Sequence, residues 1–165
     1  MPEPKEDLRV TITRDPGLGY HSFQDVFKGF ERVSAVRSIL GPRTDRIIAE
    51  LTVDVQVTGS YLYIDDNTGR IVVDRDYLRG ASLVHLYLDV VHELVHIRQL
   101  DDGLDLFDDR YSYVDRPTEL EAYREAVEEA RKIGLTEREI ADYLRVEWIG
   151  EDDFRRFLSV LGIES

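Results

Sequence analysis

Between Ala81 and Leu100 the chain places apolar side chains on almost every face of a helix. Leu83, Leu86, Val90, Leu94 and Ile97 form one stripe, and Val84, Val91 and Val95 flank it. A surface helix carries such a stripe on one side only, so this helix must be largely buried and the remaining chain must wrap around it. Asp101-Asp102-Gly103 ends it. A narrow polar stripe is left over, made of His85, Asp89, His92, Glu93, His96 and Gln99, and any chemistry on this helix must sit there.

The centre of that stripe reads His92-Glu93-Leu94-Val95-His96. Residues four apart share a helix face, so the two imidazoles can hold one metal ion while Glu93 reaches a water bound to it. Polar groups in a buried helix are costly without partners, and an ion is such a partner. A catalytic zinc takes three protein ligands and keeps a fourth position for water, so one more ligand is required. The chain has no cysteine. His85 lies about 10 Å along the helix axis from His92, too far for the same ion, and is expected to line the cleft; His21 has no informative context.

The carboxylates of the next helix, Pro117 to Ile133, are the better source. Glu119 falls on the stripe of Ala122, Tyr123, Ala126, Ala130 and Ile133, whereas Glu121, Glu125, Glu128 and Glu129 fall on the side expected to face solvent. An ionised Glu on an apolar stripe needs a partner, and the alanines let the two helices approach closely. Glu121 is the first alternative, although Thr118-x-x-Glu121 also fits a capping box; about 200° of helix rotation separates it from Glu119, so only one of the two can face an ion. The loop carboxylates Asp108 and Asp115 are further alternatives, Asp115 having a second reading as a cap before Pro117.

Strict alternation from Leu51 to Val57 predicts a half-buried strand. Tyr61–Asp65 and Arg70–Asp74 read as two strands of a hairpin around Asp66-Asn67-Thr68-Gly69. Leu8–Thr13 reads as an edge strand, Ser22–Phe30 as a short helix, and Gly103–Arg116 as a loop crossing the polar stripe. Thr136–Trp148 and Asp152–Leu161 read as two short C-terminal helices, and residues 1–7 as a loose tail. The expected fold is a single α+β domain: a small, mostly antiparallel twisted sheet on the buried helix, then a second long helix and a C-terminal helical extension over 134–165.

HELVH followed by Glu119-Leu120-Glu121-Ala122 on the next helix resembles the gluzincin metallopeptidases, over roughly residues 46–133. The resemblance implies one zinc ion held by His92, His96 and the Glu119 of an E-x-x-A element. It also implies a sheet whose edge strand holds extended peptides, and hydrolysis of peptide bonds with Glu93 as general base. Several gluzincins carry Asp or another polar residue four positions after the ligand Glu, and this chain has Tyr123 there. Asp89 or the Tyr123 hydroxyl is then the candidate to orient a metal-binding histidine, and Tyr111, Tyr113 and Tyr123 are candidates to stabilise an oxyanion.

The rival reading is a zinc-stabilised regulatory or protein-interaction module with little or no turnover. A net charge of −13 opposes general binding to nucleic acid. Gly134 to Leu144 resembles the opening of a helix-turn-helix, but the acidic residues after it, Glu147, Glu151, Asp152 and Asp153, would meet phosphates, so the segment is read as a helical pair packed on the core. The run Asp101 to Asp109 lacks calcium-loop spacing and reads as a solvated loop. No apolar run reaches the roughly 20 residues of a membrane span and the N-terminus is charged, so a cytoplasmic protein acting on a peptide or protein is expected.

Overall fold

A computed structural model describes residues 8–164, and the expected tail at 1–7 lies outside the described residues. The fold is mixed α+β, with small twisted sheets and several helices. In chain order the elements are β1 (Thr11–Ile12), β2 (Gly19–Ser22), α1 (Phe23–Val26), β3 (Phe27–Lys28), α2 (Ser34–Leu40), α3 (Thr44–Glu50), β4 (Thr52–Gln56), β5 (Leu62–Asp65), β6 (Arg70–Asp74), α4 (Arg75–Gly80), α5 (Leu83–Asp101), α6 (Pro117–Lys132), α7 (Glu137–Leu144) and α8 (Glu151–Val160). Among the described residues no helix is long and apolar enough to cross a membrane.

The main sheet has the order β2-β4-β6-β5. The β2–β4 and β5–β6 pairs are antiparallel, but β4 and β6 run parallel, which the sequence pattern does not reveal. Burial explains the arrangement. Ile71, Val72 and Val73 of β6 are covered on both faces and so take an interior position, whereas β5 alternates Leu62 and Ile64 inward with Tyr63 outward and suits an edge. The chain therefore passes over the place of β6 to form β5 first, and the hairpin turn brings it back. In that turn Asn67 N–H donates to the Asp65 carboxylate at 3.0 Å, and Gly69 supplies the positive φ of +72°.

Leu62, Ile64, Ile71, Val73, Val53 and Val55 present one apolar sheet face to the core that contains α5. Along α5, Val84, Leu86, Leu88, Val90, Val91, Leu94 and Val95 are essentially inaccessible. Each contributes about 1.5–3 kcal/mol by burial, enough together to hold titratable residues in the same helix out of water. Ser82 caps α5 by accepting from His85 N–H at 3.1 Å. The alanines at 122, 126 and 130 are fully buried, as close packing of α6 on α5 demands.

Several local expectations are corrected. Ser22–Phe30 is not one helix but the end of β2, the single turn α1 and the strand β3, which pairs with β1. The helices α2, α3 and α4 lie where no helix was expected. The Thr118–Glu121 capping box does not form: Pro117 opens α6, and Thr118 Oγ1 donates to Leu106 O at 3.0 Å. Asp115 does not cap α6, since it accepts from Ser112 and Arg156 instead. Glu129 is buried, lining a second cavity with Arg9, Arg32 and Lys132, rather than facing solvent.

Candidate metal centre

His92 and His96 project one turn apart from α5, and Glu119 meets them from the first turn of α6; all three are buried. Their ligand atoms lie within 4.8 Å of one another, the one such cluster among the described residues. His92 Nε2 is 3.2 Å from His96 Nε2 and 3.3 Å from Glu119 Oε1, and His96 Nε2 is in direct contact with that same oxygen. Tetrahedral zinc with bonds of about 2.0–2.1 Å sets its ligand atoms about 3.3–3.4 Å apart, the spacing of both pairs that His92 Nε2 makes, while an ion would have to part His96 Nε2 from Glu119 Oε1.

The surroundings fix the orientation of His96. His96 Nδ1 donates to Gln99 Oε1 at 2.7 Å, which leaves the Nε2 lone pair for an ion. The Gln99 amide is itself fixed, donating to Thr118 O at 3.1 Å and to Glu121 Oε1 at 2.8 Å. Glu121 thus turns away from the cluster, toward Gln99 and its ion pair with Arg98. Asp108 pairs with Arg110 and Asp115 with Arg156, so neither loop alternative reaches the cluster. Gln99 is the contributor that sequence reasoning missed. Its signal was its place on the polar stripe, three residues beyond His96.

In the metal-free protein the charges are balanced by protons. Burial works against a charged His96, but its contact with Glu119 and the charges of Glu93 and Glu119 outweigh that and raise it to about 9. Burial likewise opposes an ionised Glu119, yet the two imidazoles hold it well below the carboxylate range. His92 is lowered by burial, and among the described residues its Nδ1 has no hydrogen-bond partner. Burial, aided by the charges of Glu119 and Asp89, pushes Glu93 up to about 8, and its Oε2 is also without a partner. Three convergent buried donors, with the Glu93 Oε2 unpartnered among the described residues, make a group that could hold a metal ion.

The cluster opens into a cleft of about 340 Å³. One wall is β5, the outer edge of the sheet. Asp74 N–H donates to Tyr61 O at 2.8 Å, which sets the register in which Leu62 and Ile64 turn their backbone N–H and C=O toward that open edge. Phe107 and Tyr113 of the 102–116 segment close the metal end, so this loop does cross the site. The Tyr113 and Tyr123 hydroxyls bond each other, and the Tyr123 ring packs on His92 at 4.2 Å between centroids. Burial raises both phenols, which stay protonated. Tyr111 is exposed, stacked under Arg110, and does not line the cleft.

Asp89 does not touch the metal-site histidines. It accepts from Tyr77 of α4 and, at 2.8 Å, from Tyr143 of α7. Burial raises it to about 6, although the two hydroxyls pull it back. His85 lines the cleft beside Tyr143, and burial lowers it; His21 Nε2 meets only Gly17 O, far from this site. Comparison of the chain with protein-family models, with curated proteins and with solved structures finds no match.

Proposed function

We propose that the protein is a zinc-dependent peptidase of gluzincin type, with His92, His96 and Glu119 as ligands and Glu93 as general base. The observation that carries this reading is the coincidence of three convergent donors, an unpartnered buried carboxylate oxygen on the same helix face, and an unpaired strand edge along one cleft. A zinc ion held there would act as a Lewis acid, lowering the pKa of water and polarising a carbonyl.

The chain's own groups supply the rest. The outward N–H and C=O groups of Leu62 and Ile64 bind an extended peptide as an added strand, which aligns its carbonyls with the metal end. A cation near Glu93 favours its carboxylate form, and Glu93 then takes a proton from the attacking water and delivers it to the leaving amine. Of the Tyr113 and Tyr123 hydroxyls one donates to the other, and the second O–H offers a hydrogen bond to the oxygen on which negative charge develops.

The test is digestion of an unfolded protein by zinc-loaded wild type and by Glu93→Gln, with zinc content measured in both. Cleavage by wild type alone, at equal zinc content, is expected. Equal cleavage by the two proteins sinks the assignment of Glu93, and tight zinc without cleavage of any substrate favours the zinc-stabilised interaction module.

A further inference from the structure

The cleft extends well beyond the metal end, and its far half has a different chemistry. Asp89 lines it, partly accessible, with its carboxylate beside aromatic side chains. Tyr61 stands edge-on to Tyr77 at 5.3 Å, and Trp148 lies 6.3 Å from Tyr61. Asp142 stands at the rim. Tyrosine hydroxyls occupy one position on each Asp89 oxygen, which leaves a carboxylate with accepting capacity to spare. Among the described residues no Lys or Arg pairs with Asp89. Arg145, the one Lys or Arg of the lining among the described residues, is engaged elsewhere, bonded to Glu151 at 2.6 Å and stacked over Phe154 at 4.2 Å.

A half-buried carboxylate set among π-faces and without a Lys or Arg partner suits one from a ligand, because guanidinium and ammonium groups gain from both the charge and the ring quadrupoles. Helical rise puts Asp89 about 4.5 Å along the axis from His92 and about 6 Å from Glu93. An extended side chain on a residue flanking the scissile bond covers that span.

We propose that this half of the cleft is a specificity subsite, in which Asp89 and the Tyr61, Tyr77 and Trp148 rings receive an arginine or lysine side chain of the substrate next to the bond to be cut. The inference rests on the peptidase reading for its substrate but not for its chemistry. Asp89 would act here as a specificity-determining residue, while its two tyrosine bonds fix its orientation.

Trp148 is the single tryptophan and lines the subsite, so its fluorescence reports binding without turnover. Zinc-loaded Glu93→Gln protein is titrated with two end-blocked peptides that differ only by arginine against citrulline, and with the citrulline peptide carrying a free N-terminus. The arginine peptide is expected to bind about tenfold or more tightly than its blocked neutral twin, the scale of a charge-assisted contact. Asp89→Asn in the same protein, with zinc content unchanged, should reduce that ratio below about twofold.

Equal binding of the blocked arginine and citrulline peptides, binding of neither, or a ratio that survives Asp89→Asn overturns the proposal. Preference for the free N-terminus alone also overturns it, reassigning the cation to a terminal ammonium. The comparison between peptides needs no substitution at Asp89, so it stands if Asp89→Asn fails to fold. A cation preference in a wild-type protein that cuts nothing removes the peptidase reading and keeps the subsite; cleavage without preference does the reverse.

Discussion

Replacing Gln99 with Leu tests how the proposed metal centre is held. The substitution keeps a similar volume in a fully buried position and removes three bonds: the acceptor for His96 Nδ1 at 2.7 Å, and the amide donations to Thr118 O at 3.1 Å and Glu121 at 2.8 Å. Losing a partner that orients a ligating imidazole weakens metal binding about 10–100-fold, or about 1.4–2.8 kcal/mol. The loss has two routes here, since His96 becomes free to rotate and the first turn of α6, which carries Glu119, is released from α5. A zinc level that stabilises wild type by about 2.7 kcal/mol, 100 times its Kd, would stabilise a tenfold weaker variant by only about 1.4 kcal/mol. Competition against a chromogenic chelator gives the affinity, and denaturant unfolding with and without zinc gives the stabilisation. If the metal-free variant is destabilised while its zinc affinity stays within about twofold of wild type, Gln99 is a packing residue and the orienting role is wrong.

Two further outcomes follow from the same geometry. His96 at about 9 and Glu93 at about 8 both sit above their ordinary 6.5 and 4.5, so the folded, metal-free protein holds these protons more tightly than the unfolded chain. Their contribution is complete below those ordinary values and is lost as pH rises through 8 to 9. Lowered Glu119 and His92 act on the acid side, favouring folding as pH rises through their ordinary ranges. Urea midpoints in chelator should therefore fall from pH 7 to 9.5 and flatten with excess zinc; a rise over that interval in chelator contradicts the charge balance described. Ala126→Leu forces an extra isopropyl group between α5 and α6, where the alanine is fully buried. It should cost about 1–3 kcal/mol and weaken zinc binding by moving Glu119 off the histidines, both read from the same unfolding and chelator measurements.

Helix α5 was legible because burial all round leaves only one stripe for polar groups, and Glu119 was legible because it breaks an otherwise apolar stripe on α6. The position of β6 was not, because strand order depends on which strand is buried on both faces, and adjacent strands in sequence suggest a simple meander. Helices α2 and α3 were hidden by length: Val36, Ile39 and Leu40 have helical spacing, but only over two turns. The roles of Gln99 and Asp89 depend on partners 19 and 54 residues away, Thr118 and Tyr143, which no local pattern relates. Expected roles for Thr118 and Asp115 as caps failed for a related reason: loop and C-terminal groups offered them better partners.

The bond from Tyr143 to Asp89 gives the division of labour along the chain a particular meaning. Everything that would grip the ion is encoded between His92 and Tyr123, while one side of the mouth is drawn from residues 142–148. The two parts meet where Trp148 packs edge-on against Tyr113 at 5.7 Å, and elsewhere in 142–148 changes can retune what enters the cleft without adding or removing one of the three donors. A short helix packed through Ile140 and Leu144 and tied to α5 by the Tyr143 hydroxyl is thus a natural place for such a scaffold to acquire new preferences while its three convergent donors stay constant.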